Sequence, residues 1–126
     1  MIDRLDHLVL TVADLARTTD FYVRGLGMRD EAFGAGRRAL VFGRQKHNLH
    51  AAAGAPILPR AARPAPGSAD LCFIAAWPLA AVETHLRREG FEIELGPVPR
   101  TGAVGPICSL CLRDPDGNLV EVSDYA

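Results

Sequence analysis

The sequence predicts an α+β fold in which a strand, a helix and three further strands occur twice in tandem. Three observations predict it. Two short apolar runs, Leu5 to Val12 and Ala69 to Ile74, are each followed by a helical pattern that ends at glycine. After each helix come short strand-like runs divided by turn residues. Near the C-terminal end, Asp114-Pro115-Asp116-Gly117-Asn118 forms a turn signal between two alternating strands, with proline presetting φ and Gly117 free to take a positive φ.

In the first half, LDHLVLTV reads as a strand. Leu8, Leu10 and Val12 share one face and Leu5, His7 and Val9 the other, because side chains alternate along an extended chain. Asp14 is placed to cap a helix from about Leu15 to Gly25, with Leu15, Tyr22 and Leu26 on its apolar side. Strands follow at Met28 to Phe33, Arg38 to Gly43 and Lys46 to Ala51, and in the last Asn48 and His50 share a face opposite Leu49. The stretch from Ala51 to Gly67, rich in alanine, proline and arginine, has no usable period and reads as a connector.

The pattern then returns. Leu71 and Phe73 share one face of a strand, Pro78 starts a helix with Leu79, Val82 and Leu86 as its stripe, and Gly90 ends it. Strands near Phe91 to Leu95, Ile107 to Leu112 and Leu119 to Ser123 complete the second half, and the glycine- and proline-rich stretch from Gly96 reads as a loop carrying Arg100. The expected organisation is a single domain, 1–126, with module one at 1–52, the connector at 53–67 and module two at 68–126.

A chain of 126 residues that is 48% apolar can bury a proper core. Fourteen Lys and Arg against fifteen Asp and Glu leave a net charge of −1 and no basic stripe for nucleic acid. No apolar run reaches membrane-spanning length and no basic leader precedes a hydrophobic region, so a cytoplasmic protein with no membrane partner is expected. Three cysteines fit a reducing compartment, as buried thiols. Cys108 and Cys111 have the spacing of a redox or zinc pair, but on a strand they face opposite sides. The partner class that remains is a small molecule.

Aligning the first strands of the two halves puts His7 over Asp70, and aligning the last strands puts His50 over Glu121. Glu121 lies on the face opposite Val120 and Val122, where a carboxylate needs a partner. Two imidazoles and two carboxylates make an N2O2 set for a divalent metal such as nickel, iron, manganese, cobalt or zinc, with coordination positions left open for substrate. His7, His50, Asp70 and Glu121 are the candidate ligands, and Glu121 and Asp70 the candidate proton carriers. Arg100, with its planar fork for an anionic group, and Asn48 are the candidate substrate contacts. Read singly, each has a structural alternative: a hydrogen-bonded histidine, a cap, an edge charge or a surface arginine. Their recurrence in both halves is what favours a site. His47 faces away from His50 and His85 flanks its helix stripe, so both are expected to be solvated or structural.

The segments RLDHLVLTV, RALVFGRQKHNLH and GPVPRTGAVGPICSLCLRDPDGNLVEVSDY resemble the vicinal oxygen chelate superfamily of glyoxalases, bleomycin resistance proteins and dioxygenases, and within it the glyoxalase domain-containing protein 5 group. The resemblance implies paired βαβββ modules whose sheets curve round a metal-containing cup, and a homodimer. In glyoxalase I the ligand positions run His, Glu, His, Glu; the matching residues here are His7, His50, Asp70 and Glu121, so the middle two exchange nitrogen for oxygen. The implied function is a metal-dependent enzyme that chelates vicinal substrate oxygens, for isomerase, lyase or thiol-addition chemistry. Two alternatives stand beside it: a non-haem iron dioxygenase of extradiol type, and a metal-free protein that sequesters a ligand.

Overall fold

The computed structural model describes residues 1–125. In the first unit, Met1–Ser68, β1 (His7–Val12) leads into α1 (Leu15–Asp20), followed by β2 (Arg29–Phe33), β3 (Arg37–Phe42) and β4 (Gln45–Ala51). The second unit, Ala69–Ala126, contains β5 (Asp70–Ile74), α2 (Leu79–Arg88), β6 (Leu95–Gly102), β7 (Gly105–Arg113) and β8 (Leu119–Tyr125). The sheets have orders β1-β4-β3-β2 and β5-β8-β7-β6, with the first strand of each unit parallel to its last and the other pairs antiparallel. The fold is therefore α+β, with two tandem βαβββ modules, as the sequence predicts.

Each sheet buries the face that carries its helix. In the first unit that face holds Leu10, Val12, Leu40 and Leu49, all buried, and the Tyr22 ring meets His47 edge-on at 5.9 Å. His47 is thus a core residue, 1% exposed, with Phe42 at 4.9 Å, rather than a solvated one. In the second unit Leu79, Val82 and Leu86 of α2 cover Leu110, Leu112, Val120 and Val122. Asp124 of β8 fixes that helix by accepting the Leu79 N–H at 3.0 Å. The expected hairpin turn forms: Gly117 has φ 84°, and Asp114 accepts the backbone N–H groups of Asp116 and Asn118 at 2.9 and 3.0 Å. Asn118 then accepts the Ala69 N–H at 2.8 Å, tying the turn to the start of β5.

Three local expectations change. The first helix becomes a π-helical turn at Phe21–Gly25, and the extra residue rotates its apolar side, so Thr18, Phe21 and Tyr22 are buried while Leu15 is 37% exposed. The segment around Arg100 is strand β6, not a loop, while Phe91 to Glu94 lie outside it. An edge strand tolerates Pro97 and Pro99, and a register shift between Leu95 and Val98 lets Gly96, with φ 116°, approach the Ser109 carbonyl. Of the three free cysteines only Cys111 is buried, and Cys72 is exposed. Among the described residues no helix is long and apolar enough to cross a membrane.

Candidate functional site

Strand register decides which side chains share a face. In the second unit Cys72, Glu121 and Cys111 pair across β5, β8 and β7, on the face away from α2. Asp70 pairs with Leu119, so Glu121 lies two residues further along the neighbouring strand, a diagonal neighbour at about 8 Å between backbones. Glu121 Oε1 is buried and has no hydrogen-bond partner. Burial pushes the Cys72 thiol up, the Ser123 hydroxyl, 3.4 Å away, opposes it, and Glu121 adds to it through its charge and through a hydrogen bond with the thiol. Burial raises the Cys111 thiol too, and Glu121 contributes again. Cys108 pairs with Asp124 on the helix side, so Cys108 and Cys111 do face opposite ways. Arg100 pairs with Ile107, on the same face as Glu121, four residues along β7 from Cys111, or about 13 Å.

The first unit repeats this geometry with different residues. His7 pairs with Lys46, and Val9 with Asn48, so Asn48 is the diagonal neighbour of His7 as Glu121 is of Asp70. Asn48 Oδ1 is also buried without a hydrogen-bond partner. The His7 Nδ1 donates to Asp6 at 2.8 Å, which holds the Asp6 carboxyl below the usual range and leaves Nε2 open. With His7 placed over Asp70, the residue over Glu121 is Asn48; the expected match of His50 to Glu121 does not hold.

His50 is displaced from the expected ligand set. It pairs with Thr11, four residues along from the His7 pair, or about 13 Å. Two imidazoles that far apart on one sheet face cannot both reach an ion bound at about 2.1 Å. Its Nε2 lies 3.4 Å from Arg37 Nη2, and since arginine only donates, the imidazole accepts there. Burial first, and then the Arg37 charge, lower the His50 pKa. Among the described residues no three or more His, Cys, Asp or Glu converge to hold a metal. Each unit by itself brings together one diagonal pair: His7 with Asn48, and Asp70 with Glu121. Sequence reasoning missed Asp6 and Arg37; the acid directly before His7 was the available signal for the first, and the second depends on strand pairing.

A profile of the Glyoxalase/Bleomycin resistance protein/Dioxygenase superfamily matches residues 4–122. The chain belongs to that superfamily. It is 51% identical to "Virulence protein STM3117" of Salmonella typhimurium over 99% of this chain and 86% of that protein. To "Glyoxalase domain-containing protein RDO1" of Mycosarcoma maydis it is 53% identical, over 96% of this chain and 68% of that one. An integron cassette protein from the mobile metagenome of V. cholerae superimposes with TM-score 0.97 at 54% identity, covering 100% of this chain and 98% of the other. The fold alone is shared with a lactoylglutathione lyase from Agrobacterium tumefaciens, the antibiotic-binding protein TnmS3 from Streptomyces and the fosfomycin resistance protein FosX from Mesorhizobium loti, with TM-scores of 0.74, 0.76 and 0.65 at 24%, 19% and 16% identity. These cover 98%, 99% and 100% of this chain and 95%, 98% and 95% of theirs.

Proposed function

We propose that this protein is a small-molecule enzyme of glyoxalase type that depends on a divalent metal ion, with His7 and Asn48 the candidate ligands of the first module and Asp70 and Glu121 those of the second. One observation carries the reading: Asn48 Oδ1 and Glu121 Oε1, at the same register position in their modules, are both buried and both lack a hydrogen-bond partner. Burying such an oxygen without a donor costs about 1–3 kcal/mol, and more when it is charged. A cation offsets that cost. Asp6 supports the same reading, because an imidazole held at Nδ1 presents its Nε2 to a ligand.

Oxygen donors outnumber nitrogen among these candidates, which suits manganese(II) or iron(II) better than nickel or zinc. Such an ion, when bound, supplies Lewis-acid polarisation to vicinal substrate oxygens. The chain's own residues do the rest. Glu121, half-buried, is the proton carrier, in a position where transfer to substrate competes well with loss to solvent. Asp70, exposed at the start of β5, is the second carrier. Arg100 orients an anionic substrate group from β6. The reading places the chain in the glyoxalase domain-containing protein 5 group, as a single domain and a cytoplasmic homodimer; three free thiols and the 53% identity to a glyoxalase domain-containing protein support it.

Elemental analysis and manganese titration followed by electron paramagnetic resonance test the centre. About one ion per chain is expected, lost in His7→Ala and Glu121→Gln and retained in His50→Ala. Wild-type protein that takes up no ion after loading with manganese, iron, nickel or zinc would overturn the metal reading and favour a metal-free ligand binder; TnmS3, which shares the fold, is an antibiotic-binding protein.

A further inference from the structure

The same face of the first sheet carries a second cluster that the ligand set leaves unused. Arg37 at the start of β3 and Lys46 on β4 both lie against the Phe33 ring, with the guanidinium carbon 4.8 Å and the ammonium nitrogen 3.9 Å from its centroid. One ring quadrupole does not neutralise two cations, and among the described residues neither forms an ion pair with a carboxylate. Asp6 feels the Lys46 charge but spends its hydrogen bond on His7. Glu31, on the same face, is exposed and makes no ion pair with either cation.

Arg37 itself is incompletely satisfied. Its Nε is buried without a hydrogen-bond partner, and its Nη2 meets only the His50 imidazole at 3.4 Å. The next residue is a useful contrast: Arg38 points to the opposite face and closes an ion pair with Asp30. The neighbouring guanidinium has its carboxylate, and Arg37 has none.

We propose that Arg37 and Lys46, held over Phe33 with His50 accepting from Arg37 beside them, form an oxyanion subsite that recognises a carboxylate or phosphate group of a small molecule. The Arg37 guanidinium, which has no carboxylate partner among the described residues, offers planar donors suited to the oxygens of one such group. Lys46 adds charge without directional demand, and the Phe33 ring holds both cations on that side of the sheet. Lys46 pairs directly with His7, so the subsite adjoins that residue, and Asn48 stands between Lys46 and His50 on the same strand face. That the anion belongs to the substrate rests on the function proposed above. That the subsite takes an anion does not.

The test uses metal-stripped, nitrogen-15-labelled full-length protein at constant ionic strength. It is titrated with sodium acetate and separately with sodium phosphate, against sodium chloride, while the Arg37 Nε–H and His50 ring resonances are followed. Saturating shifts are expected with at least one of the two; acetate alone identifies a carboxylate subsite, phosphate alone a phosphate subsite. Arg37→Gln, followed at His50, should weaken binding by about tenfold or more, the loss of one charge-assisted hydrogen bond. Arg38→Gln should leave it unchanged. If Arg37→Gln does not fold, Arg37→Lys keeps the charge and loses the fork, and the same weakening is expected. Shifts that stay linear with both anions, or an unchanged titration in the Arg37 variant that folds, would overturn the proposal. Because no metal is present, a failed titration leaves the manganese result standing, and a protein that binds no metal can still titrate.

Discussion

Across the helix-free face of the first sheet one row reads Val9, Asn48, Ala39; the equivalent row of the second reads Cys72, Glu121, Cys111. Two residues further along the strands, Arg37 and His50 lie 3.4 Å apart where Ser109 and Ser123 share a 2.7 Å hydrogen bond. In the opposite direction, His7 and Lys46 stand where the second module has Asp70 and Leu119. The backbone pairing is the same and the charge is reversed: one face is basic, the other acidic and thiol-bearing. What survives in both is a side chain at the centre of the row with one buried oxygen, Asn48 Oδ1 or Glu121 Oε1, that has no hydrogen-bond partner. The difference teaches that one pattern of strand pairing can carry side chains of opposite charge, because pairing is set by the backbone and the charge by the side chains standing on it.

The comparison can be broken most forcefully in the core. Leu40 and Leu112 occupy equivalent positions, each 0% exposed, and truncation to alanine should cost each about 2–5 kcal/mol in denaturant melts. Similar losses sustain the equivalence; a loss below about 1 kcal/mol at one site breaks it. Next come the central acceptors. Glu121→Gln should weaken manganese binding about a hundredfold, or roughly 2.7 kcal/mol at 1.36 per decade, whereas Asn48→Asp, which makes the first row resemble the second, should strengthen it about tenfold. Both are read by competition with a chelator, and an Asn48→Asp variant that binds less tightly would remove Asn48 from the set.

The helix caps sharpen the contrast at a smaller scale. Asp14 caps α1 locally by accepting the Arg17 N–H at 3.0 Å, while Asp124 reaches α2 from a strand. Asp14→Ala and Asp124→Ala should each cost about 1 kcal/mol, with the Asp124 loss visible as faster amide exchange in α2. The smallest effect is kinetic. Since burial and then the Glu121 charge hold the Cys111 thiol above its ordinary value, Glu121→Gln lowers that pKa, raises the thiolate fraction near neutral pH and should speed iodoacetamide labelling of Cys72 and Cys111 a few-fold over wild type. Unchanged rates would show that Glu121 is not charged beside them.

Local patterns were enough for the element order, the Asp114 to Asn118 turn, the opposite faces of Cys108 and Cys111, and the side of β8 on which Glu121 stands. Each depends on a period of two or on a turn residue's own backbone preference, both written within a few neighbouring positions. They also carried Asp70 and Glu121 onto one face. Local patterns could not say which residue of β4 lies beside which residue of β1. His50 and Asn48 have the same parity, so alternation alone fits either opposite Glu121's counterpart, and only the parallel register of β1 with β4 selects Asn48. Arg100 falls on a strand for a similar reason: Gly96 and Pro97 signal a loop, yet an edge strand with a shifted register accepts them once β7 supplies a partner. Arg37 and Lys46 are separated by a hairpin, and their meeting over Phe33 exists only after β2, β3 and β4 have paired. The sequence by itself determined the faces; the tertiary structure decided the neighbours, because pairing between strands is settled by contacts distant along the chain.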